Sequence, residues 1–186
     1  MKNKMIIRSM LLLLSLMLFN SCTYIPENAK PIQDFQADRY LGTWYEIART
    51  ENRFEKDMDN ISAHYSLKDN GSIDVFNSGF NIEKQEWKSA NGTAKFRDNK
   101  TTAALKVSFF GPFYSGYNVI ALDEKYTYAL VAGKDLDYLW ILSREKTIPE
   151  DILMHYLNKA EQIGYDTSKL IWVNHDKDNP LLDGKK

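Results

Sequence analysis

The sequence is poor in the residues that most often carry covalent and metal chemistry: one cysteine, Cys22, and three histidines in 186 residues. A lone cysteine cannot bridge to another within the chain, so no disulfide framework holds the fold. His64, His155 and His175 fall in a strand, a helix and a tail on the reading below, so they are not expected to converge on one metal or one catalytic centre. Charge of one sign is also missing. The 24 Lys and Arg stand against 25 Asp and Glu, interspersed along the chain, which argues against nucleic acid as a partner. A long hydrophobic run is absent too, because the one apolar stretch, Met10 to Phe19, is broken by Ser15 and falls short of the about 20 residues a spanning helix needs.

What is present begins with that stretch. Lys2, Lys4 and Arg8 precede it and Asn20-Ser21-Cys22 ends it, the pattern of a secretory signal peptide over residues 1–21. Leu18-Phe19-Asn20-Ser21-Cys22 resembles the lipobox of bacterial lipoproteins, with Phe19 where Leu is usual. That resemblance implies lipidation of Cys22, and Thr23 after it resembles the pattern of lipoproteins passed on to the outer membrane. Residues 22–37, with Pro26 and Pro31 and no periodicity, read as a lipidated N-terminus and tether.

Tyr, Trp and Phe make up 13% of the chain and gather in short β-branched runs punctuated by Gly, Asn and Asp. Strands are expected near 43–49, 61–67, 72–80, 87–97, 102–109, 117–122, 126–132 and 138–143. Turn residues such as Asp69-Asn70-Gly71 and Asp123-Glu124-Lys125 join them closely, so neighbours run antiparallel. Eight meandering strands leave two exposed edges unless the sheet closes, which predicts an all-β, eight-stranded up-and-down barrel. One helix follows, with Thr147 as candidate N-cap, Pro149 in the first turn, and Ile152, Leu153, Tyr156, Leu157, Ala160 and Ile163 on one face to pack outside the barrel. A short strand at 170–173 comes next, and residues 176–186 are expected to fray.

Gly42-Thr43-Trp44-Tyr45-Glu46-Ile47-Ala48-Arg49 opens the first strand, and Asp137-Tyr138-Leu139-Trp140-Ile141-Leu142-Ser143-Arg144 closes the eighth. These segments resemble the Gly-x-Trp motif of the lipocalins and its basic partner. The stretch from Ala104 to Ile120 is similar to the bacterial outer-membrane lipocalins and their apolipoprotein D relatives. The resemblance implies a lipocalin domain over 38–175, lipid-anchored in the outer membrane, with the periplasmic face expected. It further implies a fatty acid or lysophospholipid ligand that the protein stores or transports. Physically, Trp44 would plug one end of the barrel with the Arg144 guanidinium across its indole, beside Gly42, as a barrel-closing motif.

An eight-stranded barrel can be packed solid or can hold a small molecule. Trp44, Glu46 and Ala48 share one face by alternation, and small Ala48 would leave room. The resemblance, more than the alternation, selects the cavity. The other reading is a filled barrel that displays loops to another envelope component and holds no ligand. Tyr114, Tyr138 and Trp140 are the candidates for ligand contact, each joining an apolar face to a hydrogen-bonding tip. Phe109 to Tyr114 concentrates aromatics in an expected turn, either packed simply against the neighbouring loop or placed at a cavity mouth, a membrane surface or a homodimer patch. No nucleophile, base and acid assemble in the sequence, so neither catalysis nor a cofactor is expected; only His64 could serve a haem.

Overall fold

The computed structural model describes residues 24–184. The signal peptide and Cys22 lie outside the described residues. Within them, β1 (Gly42–Arg49), β2 (Met58–Leu67), β3 (Ile73–Asn81), β4 (Glu86–Phe96), β5 (Ala104–Phe110), β6 (Phe113–Leu122), β7 (Tyr128–Ala132) and β8 (Leu139–Ser143) pair antiparallel in sequence order. β1 pairs with both β8 and β2, so the sheet closes into the expected eight-stranded barrel. A short helix α1 (Ala37–Tyr40) precedes it. Helix α2 (Glu150–Ile163) and strand β9 (Ile171–Trp172) follow.

Alternation divides the apolar residues into two cores, one on each side of the wall. Inside the lower barrel, Trp44, Tyr65, Val75, Leu105, Val119, Val131 and Leu142 pack together. Outside, Ile120, Leu130, Leu139 and Ile141 meet the apolar face of α2, where Tyr156, Ala160 and Ile163 are buried. Tyr156 also donates a hydrogen bond through its hydroxyl to the Tyr128 carbonyl at 2.9 Å. The helix cap differs from expectation. Pro149 is the N-cap, with an extended backbone, and Thr147 lies outside the helix with its carbonyl accepting from Ser143 Oγ at 2.8 Å. Proline's fixed φ and missing N–H let the helix begin immediately after it, so no side-chain cap is used.

The loop expected between the fifth and sixth strands shrinks to Gly111-Pro112, because Phe110 pairs across to Phe113 and both strands continue to the turn. Aromatic residues suit a pleated, half-buried surface, and here they extend the hairpin.

A bulge between Glu46 and Ala48 breaks the alternation of β1. Ile47 and Ala48 both join the outer core, so Ala48 does not face the interior as expected. One extra residue reverses every later side chain. Arg49 thereby turns inward, toward Glu46.

Two segments expected to be loose are seated on the barrel. The described part of the tether, residues 24–37, buries Ala29 and Phe35 and exchanges backbone hydrogen bonds with the wall: Ile32 N to Val119 O, Ala103 N to Ile32 O and Phe35 N to Thr101 O, at 2.8 to 3.0 Å. It stays because Asn118, fully buried, donates to the Tyr24 carbonyl at 2.7 Å and because Gly116 leaves room for it. A Cβ on Gly116 would lie only 1.9 Å from that carbonyl oxygen. The tail also folds back. β1 and β2 pair only from Gly42 to Tyr45, leaving the upper backbone of both strands without each other. Residues 171–179 fill that split: Val173 N donates to Ile47 O, Asn60 N to Asn174 O, and Asn179 Nδ2 to Ser62 Oγ and Ser78 Oγ. Buried backbone groups must find partners, and the C-terminal segment supplies them.

Candidate functional site

The barrel encloses a cavity of about 810 Å³ whose lining runs from Tyr40, Tyr65 and Tyr117 at the closed end to Arg53, Phe54, Phe110 and Phe113 at the mouth. It exists because inner positions along successive strands are small: Ala63, Gly79, Ala90 and Ala94 all line it. The interior is therefore not packed solid, and the filled-barrel reading does not describe this chain.

The closed end is built on Trp44 and Arg144. Trp44 is fully buried, its indole N–H donating to the Tyr40 carbonyl at 2.8 Å. The Arg144 guanidinium lies over the ring, 3.9 Å from its centroid. Arg144 also donates to the carbonyls of Thr43, Leu41 and Arg39 at 2.7, 2.8 and 3.0 Å. Gly42 takes a φ of +90°, a conformation costly for residues with a side chain, and brings the chain within reach of that guanidinium.

Above this plug, three tyrosine hydroxyls form the cavity floor. Tyr117 Oη stands 2.7 Å from Tyr40 Oη and 3.0 Å from Tyr65 Oη. Burial holds all three phenols above their usual range, that of Tyr65 at about 12, so they remain neutral hydrogen-bonding groups. The surrounding floor is apolar, from Ile73, Val75, Leu105 and Leu142.

Higher on the wall, Arg49 Nη1 donates to Glu46 Oε1 at 3.1 Å, and its Nη2 donates to the carbonyls of Glu55 and Met58. Asn52 Nδ2 and Trp140 Nε1 both donate to Glu55 Oε2. One guanidinium thus faces two carboxylates. Burial, with the Glu55 charge behind it, holds the Glu46 carboxyl well above the usual carboxylate range against the pull of Arg49.

The three ligand candidates all line the cavity. Tyr138 stacks on Trp140, with ring centroids 6.0 Å apart, and Tyr114 has the Lys106 ammonium 5.2 Å from its ring centre. The indole N–H of Trp140 is already committed to Glu55, so the face of that ring, rather than its tip, is what a ligand can meet. Alternation from Trp44 did not disclose the Glu46, Arg49 and Glu55 cluster, because the bulge that turns Arg49 inward has no signature in the sequence. His64 pairs with Thr43 on the outer face, its Nδ1 2.9 Å from the Thr43 hydroxyl, and does not line the cavity. Among the described residues no group of three His, Cys, Asp or Glu could hold a metal ion, and no helix is long and apolar enough to cross a membrane.

A lipocalin-like domain matches residues 35–175. The chain is 53% identical over 148 residues to the outer membrane lipoprotein Blc of Citrobacter freundii, covering 80% of this chain and 84% of that protein. It is 44% identical over 167 residues to the protein of the same name from Vibrio cholerae, covering 89% and 98%. Among solved structures it is similar to insecticyanin from the tobacco hornworm Manduca sexta, with a TM-score of 0.65 at 22% identity, over 81% of this chain and 86% of that one. A closed eight-stranded barrel, a single plug of tryptophan under arginine and these likenesses agree: the chain belongs to the lipocalin family.

Proposed function

We propose that this lipocalin is anchored to the outer membrane through acylated Cys22 and carries a fatty acid or a lysophospholipid in its cavity, with Tyr114, Tyr138 and Trp140 contacting the ligand near the mouth. The observation that carries the ligand class is the gradient along the cavity. Its lower lining is apolar apart from the three hydroxyls. Toward the mouth stand Arg53, Lys56, Lys88 and Lys134, whereas the two lining carboxylates, Glu46 and Glu55, are gathered around Arg49. An acyl chain fits the first region and an anionic head group the second.

The magnitude is adequate. At about 0.8 kcal/mol per methylene, a chain of about 16 carbons gains up to roughly 13 kcal/mol. After association costs of about 4 kcal/mol or more, an affinity near micromolar or tighter remains. The volume lies within the usual range for sites that take small molecules. The anchor is supported by the lipobox-like sequence before Cys22 and by relatives named as outer membrane lipoproteins. Binding, with release of the same molecule, needs no catalytic set.

The test is displacement of a fluorescent fatty acid by palmitate, by its methyl ester and by a lysophospholipid. Both anionic or zwitterionic amphiphiles are expected to compete at micromolar concentration, and the uncharged ester at least several-fold less well. Equal competition by the ester would remove the role assigned to the mouth cations, and no competition by any of them would remove the ligand class.

A further inference from the structure

The mouth of the barrel carries an exposed apolar rim. Each of the four connections at this end contributes at least one large apolar side chain to solvent: Phe54 (61% exposed) between β1 and β2, Ile82 (51%) between β3 and β4, Phe110 and Phe113 (72% and 79%) at the β5–β6 turn, and Leu136 (44%) between β7 and β8. The opposite end is different. Its turns are Lys68 to Ser72, Arg97 to Ala103 and Asp123 to Thr127, and among the described residues only Leu67, at the end of β2, is large, apolar and exposed there. Even Tyr126 at that end is covered, by the Arg39 guanidinium 4.1 Å from its ring centre. Five such residues around one opening form a ring of a kind that soluble surfaces seldom leave bare.

The N-terminal arm says what covers it. The arm starts at the closed end, where Gln36 N donates to Tyr126 Oη and Phe35 N to Thr101 O. Traced back toward the N-terminus it climbs past Val119 and ends, at Tyr24, against Gly116 and Asn118. Gly116 is three residues from Phe113, a rise of about 10 Å along the strand. Cys22 is two residues from Tyr24 and so within about 7 Å of it. A free tether of 15 residues would reach about 50 Å and permit any orientation of the barrel. The seated arm removes most of that freedom: its described part ends at Tyr24 on the mouth side of the wall, and an anchor two residues further on would start from there.

From this ring of apolar residues, and from where the arm ends, we infer that the barrel docks mouth-down on the bilayer that carries its anchor, with Phe54, Phe110, Phe113 and Leu136 in the interfacial layer. The ligand then passes between bilayer and cavity without crossing water. Rim charges are mixed, with Arg53, Lys56 and Lys84 near Glu51, Asp57 and Glu83, so apolar insertion rather than attraction to anionic lipid drives the contact. The orientation rests on the anchored reading above.

The test uses the acylated full-length lipoprotein in phospholipid vesicles, with single cysteines for a fluorescent label at Phe54→Cys and Leu136→Cys on the rim, Leu67→Cys at the closed end and Met154→Cys on α2. Lipids bearing a nitroxide high on the acyl chain should quench the two rim labels several-fold more than the other two, at low and high anionic lipid content alike. Equal quenching at all four sites, or strongest quenching at residue 67, overturns the inference. So does a rim label protected from the nitroxide in a preparation whose mass is that of a dimer, since a second copy then covers the rim. Mass spectrometry of the same samples reads the acyl chains on Cys22 separately: an unmodified cysteine overturns the anchored reading and this orientation with it, whereas an acylated chain with an unquenched rim overturns the docking alone.

Discussion

The Arg144 guanidinium lies 3.9 Å from the centre of the Trp44 indole and at the same time donates hydrogen bonds to the carbonyls of Thr43, Leu41 and Arg39. The ring contact is worth about 0.5–2 kcal/mol, and each charged hydrogen bond to a carbonyl about 1.5–3 kcal/mol at most. These terms overlap, and the half-exposed site gives some of them back to water. Arg144→Ala is expected to lower stability by about 3 kcal/mol in a denaturant titration. Arg144→Lys should recover less than half of that, because an ammonium cannot present a planar fork to several carbonyls while lying flat on an indole. Full recovery by lysine would mean that the positive charge alone matters.

Glu46 makes stability depend on pH. Its carboxyl is held well above the ordinary 4.5 by burial and by Glu55, so in the window above 4.5 the native state binds a proton that the unfolded chain has released. Stability from this group is therefore fully present below 4.5 and is lost as pH rises through the window, with a limiting slope of about 1.4 kcal/mol per pH unit. Glu46→Gln keeps an acceptor for Arg49 without the charge. It should flatten the pH dependence between 4.5 and neutrality and raise stability at neutral pH by about 1 kcal/mol, a buried hydrogen bond being retained. Thermal melts across that range check it, and a steeper fall in the variant would reverse the assignment.

How much of this was legible in the sequence differs by segment. Alternation and turn residues disclosed the eight strands, and helical spacing disclosed the apolar face by which α2 packs on the barrel, because those patterns are set by local geometry. The Trp44 and Arg144 pairing followed from barrel closure, which makes ends of the sheet into neighbours. The bulge after Glu46 was not legible: it costs one residue of register and leaves composition unchanged, yet it decides that Arg49 faces Glu46 and that Ala48 does not face the cavity. The seated arm was also hidden. Its anchor points, Gly116 and Asn118, lie more than ninety residues from Tyr24 and look like ordinary strand residues. The short strand expected at 170–173 is present as β9 against β1, but residues 176–179 read as loose because their partners, Asn60, Ser62 and Ser78, lie about a hundred residues away and look like ordinary strand residues.

The arm supplies a prediction of its own. Gly116→Val places side-chain atoms where the Tyr24 carbonyl stands and so takes that acceptor from Asn118, whose bonds to the Ala132 and Gly133 carbonyls remain. Backbone amides of residues 24–32 should lose protection in hydrogen exchange, and β6 should keep it. Unchanged protection in the arm would show that Gly116 is not what admits it.

The C-terminal segment is expected to behave as part of the wall. Asn179→Ala removes the donor to the buried Ser62 and Ser78 hydroxyls, together with the side-chain acceptor for Leu181 N, and should cost about 1 kcal/mol. The loss should appear in chemical denaturation as a lower midpoint with unchanged slope, since the same surface is exposed on unfolding. A variant as stable as the parent would return residues 176–184 to the status of a frayed tail.

The claim that matters most is that the cavity holds an acyl chain. Native mass spectrometry of the protein as purified, followed by solvent extraction and lipid analysis, tests it directly. A population heavier than the apo chain by one fatty acid or lysophospholipid is expected, released by organic solvent and displaced by an added fluorescent fatty acid that quenches tryptophan fluorescence. A clean apo mass, with no uptake of acyl chains up to their solubility limit, would contradict it.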